Sequence, residues 1–310
     1  QGATDEEMLA VGVAATASTG RLIDRFRDRV VFPITREGRV LGFVGRRNPM
    51  YADNGQHGPK YLNTPDTPLF HKGAQLFVAG DPAGDATPVL VEGPMDAIAV
   101  AMATSGKAIG LAPLGTSLTD EQAAQLHALS RTPVIATDAD HAGRTAAERD
   151  YWILAPFGID PLHAKLPDGN DPADLVARRR QEELLTAIRS ARPLADALVD
   201  ELLDRAPKRD ATLDALRVVA AGPPARWAVG VQRIAEPMGL PSSLLQSALI
   251  PLTRAWNADQ RHAARQITLR MARVESYEDP ERVDSPAGTT APSQWPRPLS
   301  TAVTEVAPRR

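Results

Sequence analysis

Six acidic residues of the chain are grouped in three short clusters, and each cluster follows a run of apolar residues. The clusters are Glu92 with Asp96, Asp138 with Asp140, and Asp171 with Asp174. In an open parallel sheet, ligands bind beyond the carboxyl ends of the strands. Carboxylates that converge there repel one another unless a cation lies between them. Oxygen ligands suit Mg²⁺ and Mn²⁺, so the pattern predicts metal-assisted phosphoryl or nucleotidyl transfer.

Each cluster also has a simpler interpretation. Asp171-Pro172 is a good helix start, with an aspartate cap and proline in the first helical position, which would give Asp171 a purely structural role. Aspartates are common in loops, and phosphate-accepting receivers and aspartyl-phosphate hydrolases also place one after a strand. The order and spacing of all three clusters, rather than any single one, indicate a metal site.

Alternating strand-like and helix-like segments are expected to position these clusters. The predicted strands are residues 75–79, 89–91, 108–111, 133–137 and 161–166, and the predicted helices are 94–105, 119–130 and 142–154. This alternation favours a parallel sheet covered by helices. Upstream, residues 30–35 and 39–44 flank a turn and predict a β-hairpin, and residues 4–7 begin a short capped helix.

The C-terminal part has a different pattern. Beyond Asp171 the strand signal ends, and leucines recur at helical spacing, which predicts a helical subdomain. After about Tyr277 the chain is rich in Pro, Ser, Thr and Ala and is predicted to be disordered. We expect four segments: a basic, β-rich subdomain at 1–80, an α/β core at 81–180, a helical subdomain at 181–256, and a helical extension with a disordered tail at 257–310.

Composition narrows the possible functions. The 310 residues include no cysteine, which excludes a thiol nucleophile and a thiolate zinc site. No apolar run is long enough to cross a bilayer and no secretory signal is present, so a cytoplasmic protein without membrane contact is expected. The net charge of −3 combines +5 over residues 21–80 with −9 over 81–174. That asymmetry suits a protein that holds a polyanion beside bound cations, although chance patchiness would also produce it.

The acidic pattern resembles the Toprim domain, in which a glutamate follows the first strand and an Asp-x-Asp-x-x-Gly motif follows a later one. Residues 92–96 and 138–144 fit this pattern. Further motifs resemble the RNA polymerase (catalytic) domain of bacterial DnaG-type primases. They occupy residues 24–34, 58–65, 70–73, 114–117 and 166–172. The resemblance covers about residues 4–180 and extends more loosely to about residue 256.

This resemblance implies a fold and a function. The expected fold is α/β, with a Toprim parallel-sheet core flanked by helices, a partial β-rich subdomain before it and a small helical subdomain after it. The implied function is DNA primase activity: template-directed RNA primer synthesis on single-stranded DNA, in chromosomal, plasmid or phage replication. The implied partners are a single-stranded DNA template, ribonucleoside triphosphates and, as a candidate, a replicative helicase.

The resemblance also assigns roles to individual residues. The implied catalytic residues are Glu92, Asp138 and Asp140. The implied ligands of two Mg²⁺ or Mn²⁺ ions are Glu92, Asp96, Asp138, Asp140 and Asp171. The implied nucleotide- or DNA-binding residues are Arg46, Arg47, Lys60 and Lys72, for which a solvated surface charge is the simpler interpretation.

The chain departs from the family pattern in several places. It has no thiolates for the family's zinc-binding module, so no zinc is expected in this chain, and most of the basic N-terminal half of the polymerase domain is expected to be missing before Gln1. Ala173 replaces one family carboxylate and Pro94 replaces an aromatic residue. These departures keep an alternative open: a non-catalytic or weakly active nucleic-acid-binding Toprim module of a larger replication or mobile-element protein. A Toprim nuclease or topoisomerase is disfavoured, since a nuclease would lack the lysine motifs and no tyrosine lies in a cleavage-domain context.

Overall fold

The computed structural model describes residues 2–51, 58–82, 84–115, 117–130, 132–138, 140–205 and 208–278. The chain divides into two compact units, residues 1–269 and residues 270–310. The predicted disordered tail lies outside the described residues from position 279 onward. The four-segment division stays a prediction. Within the described residues, no helix has both the length and the apolar character needed to cross a membrane.

The strands are β1 Ala14–Thr16, β2 Leu22–Asp24, β3 Arg29–Arg36, β4 Arg39–Arg47, β5 Tyr61–Asn63, β6 Leu76–Ala79, β7 Thr87–Leu90, β8 Ala108–Pro113, β9 Val134–Ile135, β10 Leu162–His163 and β11 Arg192–Pro193. The helices are α1 Asp5–Ala10, α2 Pro94–Ala103, α3 Asp120–Leu129, α4 His141–Leu154, α5 Pro172–Ala177, α6 Gln181–Arg189, α7 Leu194–Arg205, α8 Lys208–Ala221, α9 Trp227–Met238, α10 Ser242–Ala258 and α11 Gln260–Glu278.

A six-stranded sheet forms the centre of the molecule, with the strand order β11-β10-β9-β7-β8-β6. Its four central strands are parallel, as the alternation of strands and helices predicted. Both edge strands are antiparallel to their neighbours, and β11 lies in a region where no strand was predicted. The missed strand has only two residues, Arg192 and Pro193, which is too short for an alternating apolar pattern. The fold class is confirmed as mixed α/β, with a mostly parallel sheet flanked by helices.

Helix α2 packs closely on this sheet because strand β8 carries a glycine at the contact. A Cβ atom at Gly110 would lie 2.0 Å from the carbonyl oxygen of Ala97 in α2, so no larger residue fits there. The predicted helices α2, α3 and α4 are present, and Thr119 caps α3 through a reciprocal capping box with Gln122. The strands β9 and β10 are shorter than predicted, since only two residues of each pair with their neighbours.

The predicted hairpin consists of β3 and β4, and β5 adds a third strand beside β4. Its turn residues Glu37 and Gly38 both have positive φ angles, which suits the twist of a tight hairpin. Ile34 and Val44 are each 1% exposed and belong to the same apolar cluster as Phe77 and Val89 of the main sheet. One face of the hairpin is therefore fixed against the α/β core.

Candidate active site

Glu92 lies directly beyond the end of strand β7, where Gly93 caps helix α2 and Pro94 occupies its first turn. The backbone N–H of Asp138, at the end of the neighbouring strand β9, donates to Glu92 Oε1 at 3.3 Å. Glu92 is exposed as a whole residue, yet burial by the surrounding protein raises the pKa of its carboxyl. The charges of Asp140 and Asp171 raise this pKa further, while the Asp138 N–H and Lys60 lower it.

Asp96 is the most buried acidic residue of the site, with only 8% of its surface exposed. It lies in the first turn of α2, and the backbone N–H of Ala173 in α5 donates to its Oδ1 at 3.3 Å. Burial, followed by the charge of Asp171, raises the pKa of Asp96 to about 7. The first turns of α2 and α5 are thus joined through a carboxyl group that is costly to ionise.

Asp138 and Asp140 connect strand β9 to helix α4. Asp140 caps α4, since its Oδ1 accepts a hydrogen bond from the Gly143 N–H at 2.7 Å. Asp138 is half-buried, and burial followed by the charge of Glu92 raises its pKa to about 6. Glycine is required at position 143, because a Cβ there would lie 2.1 Å from the carbonyl oxygen of Asp138. Ala139, between the two aspartates, lies outside the described residues.

Asp171 has the capping role that its sequence predicted. It precedes α5, and its Oδ1 accepts a hydrogen bond from the Asp174 N–H at 2.5 Å. Its charge also raises the pKa values of Glu92, Asp96 and Asp138. The residue therefore caps a helix and faces the acidic cluster at once, whereas Asp174 is directed to Arg178, 3.8 Å away.

These carboxylates fit a hard divalent cation in donor chemistry and charge. Every candidate ligand supplies oxygen, which Mg²⁺ and Mn²⁺ prefer. Three of the carboxyl groups have raised pKa values to which neighbouring carboxylates contribute. Within the described residues, no three His, Asp or Glu side chains already form a metal-binding group. The side chains would therefore have to turn toward a common point to enclose an ion.

The two predicted lysines occupy different positions along the sheet edge. The charge of Lys60 lowers the pKa values of Glu92 and Asp138, so Lys60 lies beside the acidic cluster. Lys72 Nζ lies 3.9 Å from the place that a Cβ would take at Gly115, in the loop after β8. Strand β8 is the parallel neighbour of β7, so Lys72 flanks the loop next to the one that carries Glu92.

The two predicted arginines lie on opposite faces of the hairpin, as consecutive strand residues do. The Arg46 guanidinium lies 4.9 Å from the centre of the Tyr61 ring. Arg47 is 8% exposed and donates to the carbonyl oxygen of Gly58 at 2.7 Å. It lines a cavity of about 410 Å³ whose walls also contain Arg25, Arg27 and Arg29. Arg46 therefore lies on the face that carries Tyr61, and Arg47 lines this second, basic cavity.

The sequence did not predict a role for Tyr61, although this residue lies within the primase-like motif at residues 58–65. A Cβ at Gly93 would lie 3.4 Å from the Tyr61 hydroxyl and 3.2 Å from Asp96 Oδ2. Burial raises the pKa of Tyr61; the charge of Asp96 adds to this, and Arg46 and the Met95 N–H oppose it. Tyr61 thus connects strand β5 to the first turn of α2. Three of the four arginines of the basic cavity, Arg25, Arg27 and Arg29, were also not predicted. The pattern that could have indicated them is an arginine at every second position from 25 to 29.

Two family descriptions match the chain. Residues 1–81 match "DNA primase catalytic core, N-terminal domain", and residues 89–176 match "Toprim-like". A solved DNA primase domain from Pseudomonas aeruginosa is 32% identical with a TM-score of 0.64, over 80% of this chain and 79% of that one. The chain belongs to the DnaG-type primase family. A family structure bound to single-stranded DNA is 31% identical with a TM-score of 0.63, over 77% of each chain.

The match to full-length family members is partial. The DNA primase of Escherichia coli K12 is 37% identical over 206 residues, which are 64% of this chain and 34% of that protein. The chain therefore spans about a third of the length of the curated primases that it matches, and the part in common is the catalytic core of the family.

Proposed function

We propose that this chain is the nucleotidyl-transfer core of a primase, which synthesises RNA primers on single-stranded DNA. The observation that carries the proposal is the proximity of Glu92, Asp138 and Asp171, which follow different strands: the Asp138 N–H donates to Glu92 Oε1 at 3.3 Å, and the charge of Asp171 raises the pKa values of Glu92, Asp96 and Asp138. Lys60 supplies positive charge beside them. Unpaired carboxylates next to a cationic side chain suit a site that takes up metal together with a polyphosphate.

We propose that Glu92, Asp138 and Asp140 hold Mg²⁺ or Mn²⁺, with Asp96 and Asp171 as further ligands of a pair of ions. Bound metal would stabilise negative charge on the attacking and leaving oxygens of the phosphoryl group. The protein groups fix where this happens. The Asp138 N–H orients Glu92, the Ala173 N–H orients Asp96, and the Gly143 N–H orients Asp140.

The chain's own residues also account for substrate handling. In the proposed reaction, a 3′-hydroxyl oxygen attacks the α-phosphorus of the incoming ribonucleotide, a new phosphodiester bond forms and pyrophosphate leaves. As an alternative to its role as a ligand, Glu92, whose pKa is raised, would accept the proton of that hydroxyl. Lys60 and Arg46 would bind phosphate oxygens, which positions the nucleotide without selecting a base.

A single-stranded template fits the basic cavity on the other face of the hairpin. Arg25, Arg27, Arg29 and Arg47 line it against one acidic residue, Asp28. Such an excess of arginine attracts phosphates in a sequence-independent way. A relative was solved with single-stranded DNA bound, which supports the same class of ligand here. Family membership also makes a replicative helicase a proposed partner.

Primer synthesis tests the proposal directly. The purified chain is incubated with single-stranded DNA, labelled ribonucleoside triphosphates and Mg²⁺ or Mn²⁺. Glu92→Gln and Asp138→Asn are expected to abolish RNA products while leaving the fold intact. Asp174→Asn is the matched control, since it removes an acidic charge that is directed to Arg178 rather than to the cluster. Full primer synthesis by both site variants would refute the proposal.

A weakly active nucleic-acid-binding module is the second candidate. The observation that favours it is that no three-ligand group is already formed among the described residues. Single-stranded DNA binding by the wild-type chain without RNA products, in either metal, would support this candidate over the primase.

A further inference from the structure

Helix α5 ends in a turn of three consecutive arginines, Arg178, Arg179 and Arg180. The Arg180 N–H donates to the carbonyl oxygen of Leu175 at 2.7 Å, and the Arg179 N–H donates to that of Val176 at 3.0 Å. These two bonds form a Schellman motif, in which the residue at the position of Arg179 is left-handed and is usually glycine. Arg179 has a φ angle of 59°. The chain therefore keeps an arginine in a backbone conformation that a side chain makes unfavourable.

The arginine turn lies against the loop that carries Asp171. Arg178 and Arg180 each donate a hydrogen bond from Nη1 to Oδ1 of Asn170, at 3.3 and 3.2 Å. Asn170 is 7% exposed and directly precedes Asp171, whose charge acts on the acidic cluster. Asn170 also donates to the carbonyl oxygen of Asp168 at 2.7 Å, so it ties the turn to the loop. The arginine turn and this loop therefore form one rim of the proposed active site.

The side chain of Arg179 differs from those of its two neighbours. Arg178 lies 3.8 Å from Asp174, and Arg180 donates two hydrogen bonds to Glu183, at 2.6 and 2.7 Å. Arg179 is exposed, and within the part of the chain that the structure describes its guanidinium forms no ion pair or hydrogen bond. Cations stabilise the carbonyl end of a helix, but Arg178 and Arg180 already supply that charge. The fold therefore gives no reason for an arginine at position 179.

The position of Arg179 indicates which ligand it would bind. An exposed guanidinium suits phosphate groups, which it binds through two parallel hydrogen bonds. In the proposed reaction the 3′-hydroxyl of the primer lies at the carboxylates, so the duplex of primer and template leaves the site across its rim. Strained backbone conformations that a protein retains are concentrated at functional sites.

We propose that Arg179 binds a backbone phosphate of the primer–template duplex, while Arg178 and Arg180 hold the turn against the loop of Asp171. The inference rests on the proposed function, because it assigns a contact for the product of the same site. A phosphate contact carries no sequence information, so Arg179 holds duplexes of every sequence. This contact is separate from the basic cavity of the hairpin, which is proposed to take the single-stranded template.

The test uses variants that separate the charge of Arg179 from its backbone strain. A fluorescein-labelled RNA primer annealed to a longer DNA strand is titrated with the wild-type chain, Arg179→Gly and Arg179→Lys. The titration contains Mn²⁺ but no nucleoside triphosphates, so the primer is not extended, and the DNA strand alone is the second probe. Ser105→Gly is the matched control. Ser105 is exposed, has a φ angle of 50° and follows the end of α2 that is opposite to Asp96, so glycine there relieves strain without removing a charge.

Arg179→Gly is expected to weaken duplex binding about three- to tenfold at about 0.1 M KCl, and to reduce the slope of log Kd against log [KCl] by about one, as the loss of one phosphate contact does. Arg179→Lys, which retains the charge in the same backbone conformation, should keep the wild-type slope and have an affinity between those of Arg179→Gly and wild type. Ser105→Gly should bind the duplex as wild type does. The urea midpoints of both glycine variants should equal or exceed that of wild type, because glycine adopts positive φ angles without a steric penalty.

Several results would overturn the inference: unchanged duplex binding in Arg179→Gly, an equal loss of binding to the DNA strand alone, weaker duplex binding in Ser105→Gly, a lower urea midpoint in Arg179→Gly than in wild type, or no duplex binding by wild type. Duplex binding that depends on Arg179 without any primer synthesis would refute only the proposed reaction. Primer synthesis with unchanged duplex binding in Arg179→Gly would refute only the role of Arg179. The two failures are therefore distinguishable.

Discussion

Acidic residues are clustered in two regions of this molecule, and their partners differ. In the helical region, Asp196 and Asp200 face arginines: Arg226 lies 2.7 Å from Asp196, and Arg233 lies 2.7 Å from Asp200. At the edge of the main sheet, no arginine among the described residues forms an ion pair with Glu92, Asp96 or Asp138. Their pKa values are raised instead.

The cluster of the helical region stabilises the fold, whereas the cluster at the sheet edge is the one proposed to bind a ligand. Paired charges that are partly buried join helix α7 to helix α9 and the residues before it, and removing one carboxylate leaves the arginines with less compensation. Unpaired carboxylates at a strand end cost stability in the absence of a ligand, and that cost is relieved when a cation binds. Burial and neighbouring carboxylates raise the pKa values at the sheet edge, as expected for a site that takes up a cation.

The largest expected effect comes from Gly143→Ala. A Cβ at this position would lie 2.1 Å from the Asp138 carbonyl oxygen, so the loop that carries both aspartates must move. Primer synthesis should fall by more than about 10²-fold, and overpacking should lower the free energy of unfolding by about 1–3 kcal/mol. Urea unfolding and primer extension measure the two effects. Wild-type activity in a stably folded Gly143→Ala chain would contradict the assigned position of Asp138.

A substitution in the arginine-paired cluster of the helical region should change the stability of the fold and leave ion binding unchanged. Asp196→Ala removes a carboxylate, 13% exposed in its side chain, that pairs with both Arg226 and Arg233. Among the described residues, Arg226 then keeps only Asp160, at 3.9 Å, and Arg233 keeps Asp200. The free energy of unfolding is expected to fall by roughly 2–4 kcal/mol, measured by urea denaturation. Divalent-ion affinity of the folded protein should stay at the wild-type value. A loss of ion binding in this variant would remove the distinction between the two regions.

A substitution in the acidic cluster at the sheet edge should change the free energy of unfolding in the opposite direction, toward higher stability. The pKa of Asp96 is raised to about 7 in the folded chain, so folding favours its protonated form. Its contribution to stability is therefore complete below about pH 4 and is lost as the pH rises toward 7. Metal-free Asp96→Asn should be more stable than wild type at pH 8, by roughly 2–4 kcal/mol.

Urea denaturation at pH 4 and pH 8, in chelator, checks this sign. The groups that face Asp96 are Glu92, Asp138, Asp171, Tyr61 and the Ala173 N–H, and asparagine retains the oxygen that accepts from Ala173. Equal or lower stability of Asp96→Asn at pH 8 would show that the carboxyl is not destabilised by its surroundings.

The smallest effect is expected from the lysines. Lys60→Gln removes the cation beside Glu92 and Asp138 and should raise the KM for ribonucleotides about tenfold, in line with the loss of one charge-assisted hydrogen bond. Lys72→Gln, on the neighbouring loop, should have a smaller effect. Steady-state primer synthesis gives both values. A larger effect at Lys72 than at Lys60 would reverse the proposed order along the sheet edge.

The sequence predicted the parallel core and the placement of the acidic clusters, because strand–helix alternation forces Glu92 and Asp138 to the same sheet edge. It also predicted the capping role of Asp171, which the structure confirms, while the role of Asp171 as a metal ligand stays a prediction. It could not predict the antiparallel edges, since β11 has two residues and no pattern. Strand alternation separates Arg46 from Arg47, but only packing of the hairpin decides which of them faces the acidic site. Tyr61 was missed for the same reason.

Binding of a divalent cation by the carboxylates of the sheet edge can be measured directly. Calorimetric titration of Mn²⁺ into the wild-type chain at pH 6.5, in buffers of different ionisation enthalpy, measures ion binding and proton release together. We expect saturable binding with release of protons, because the pKa values of Asp138 and Asp96 are raised to about 6 and about 7. Binding should be lost in the Glu92→Gln, Asp138→Asn double variant and retained in Asp196→Ala. Equal binding by the double variant and wild type would contradict a cation site at these carboxylates.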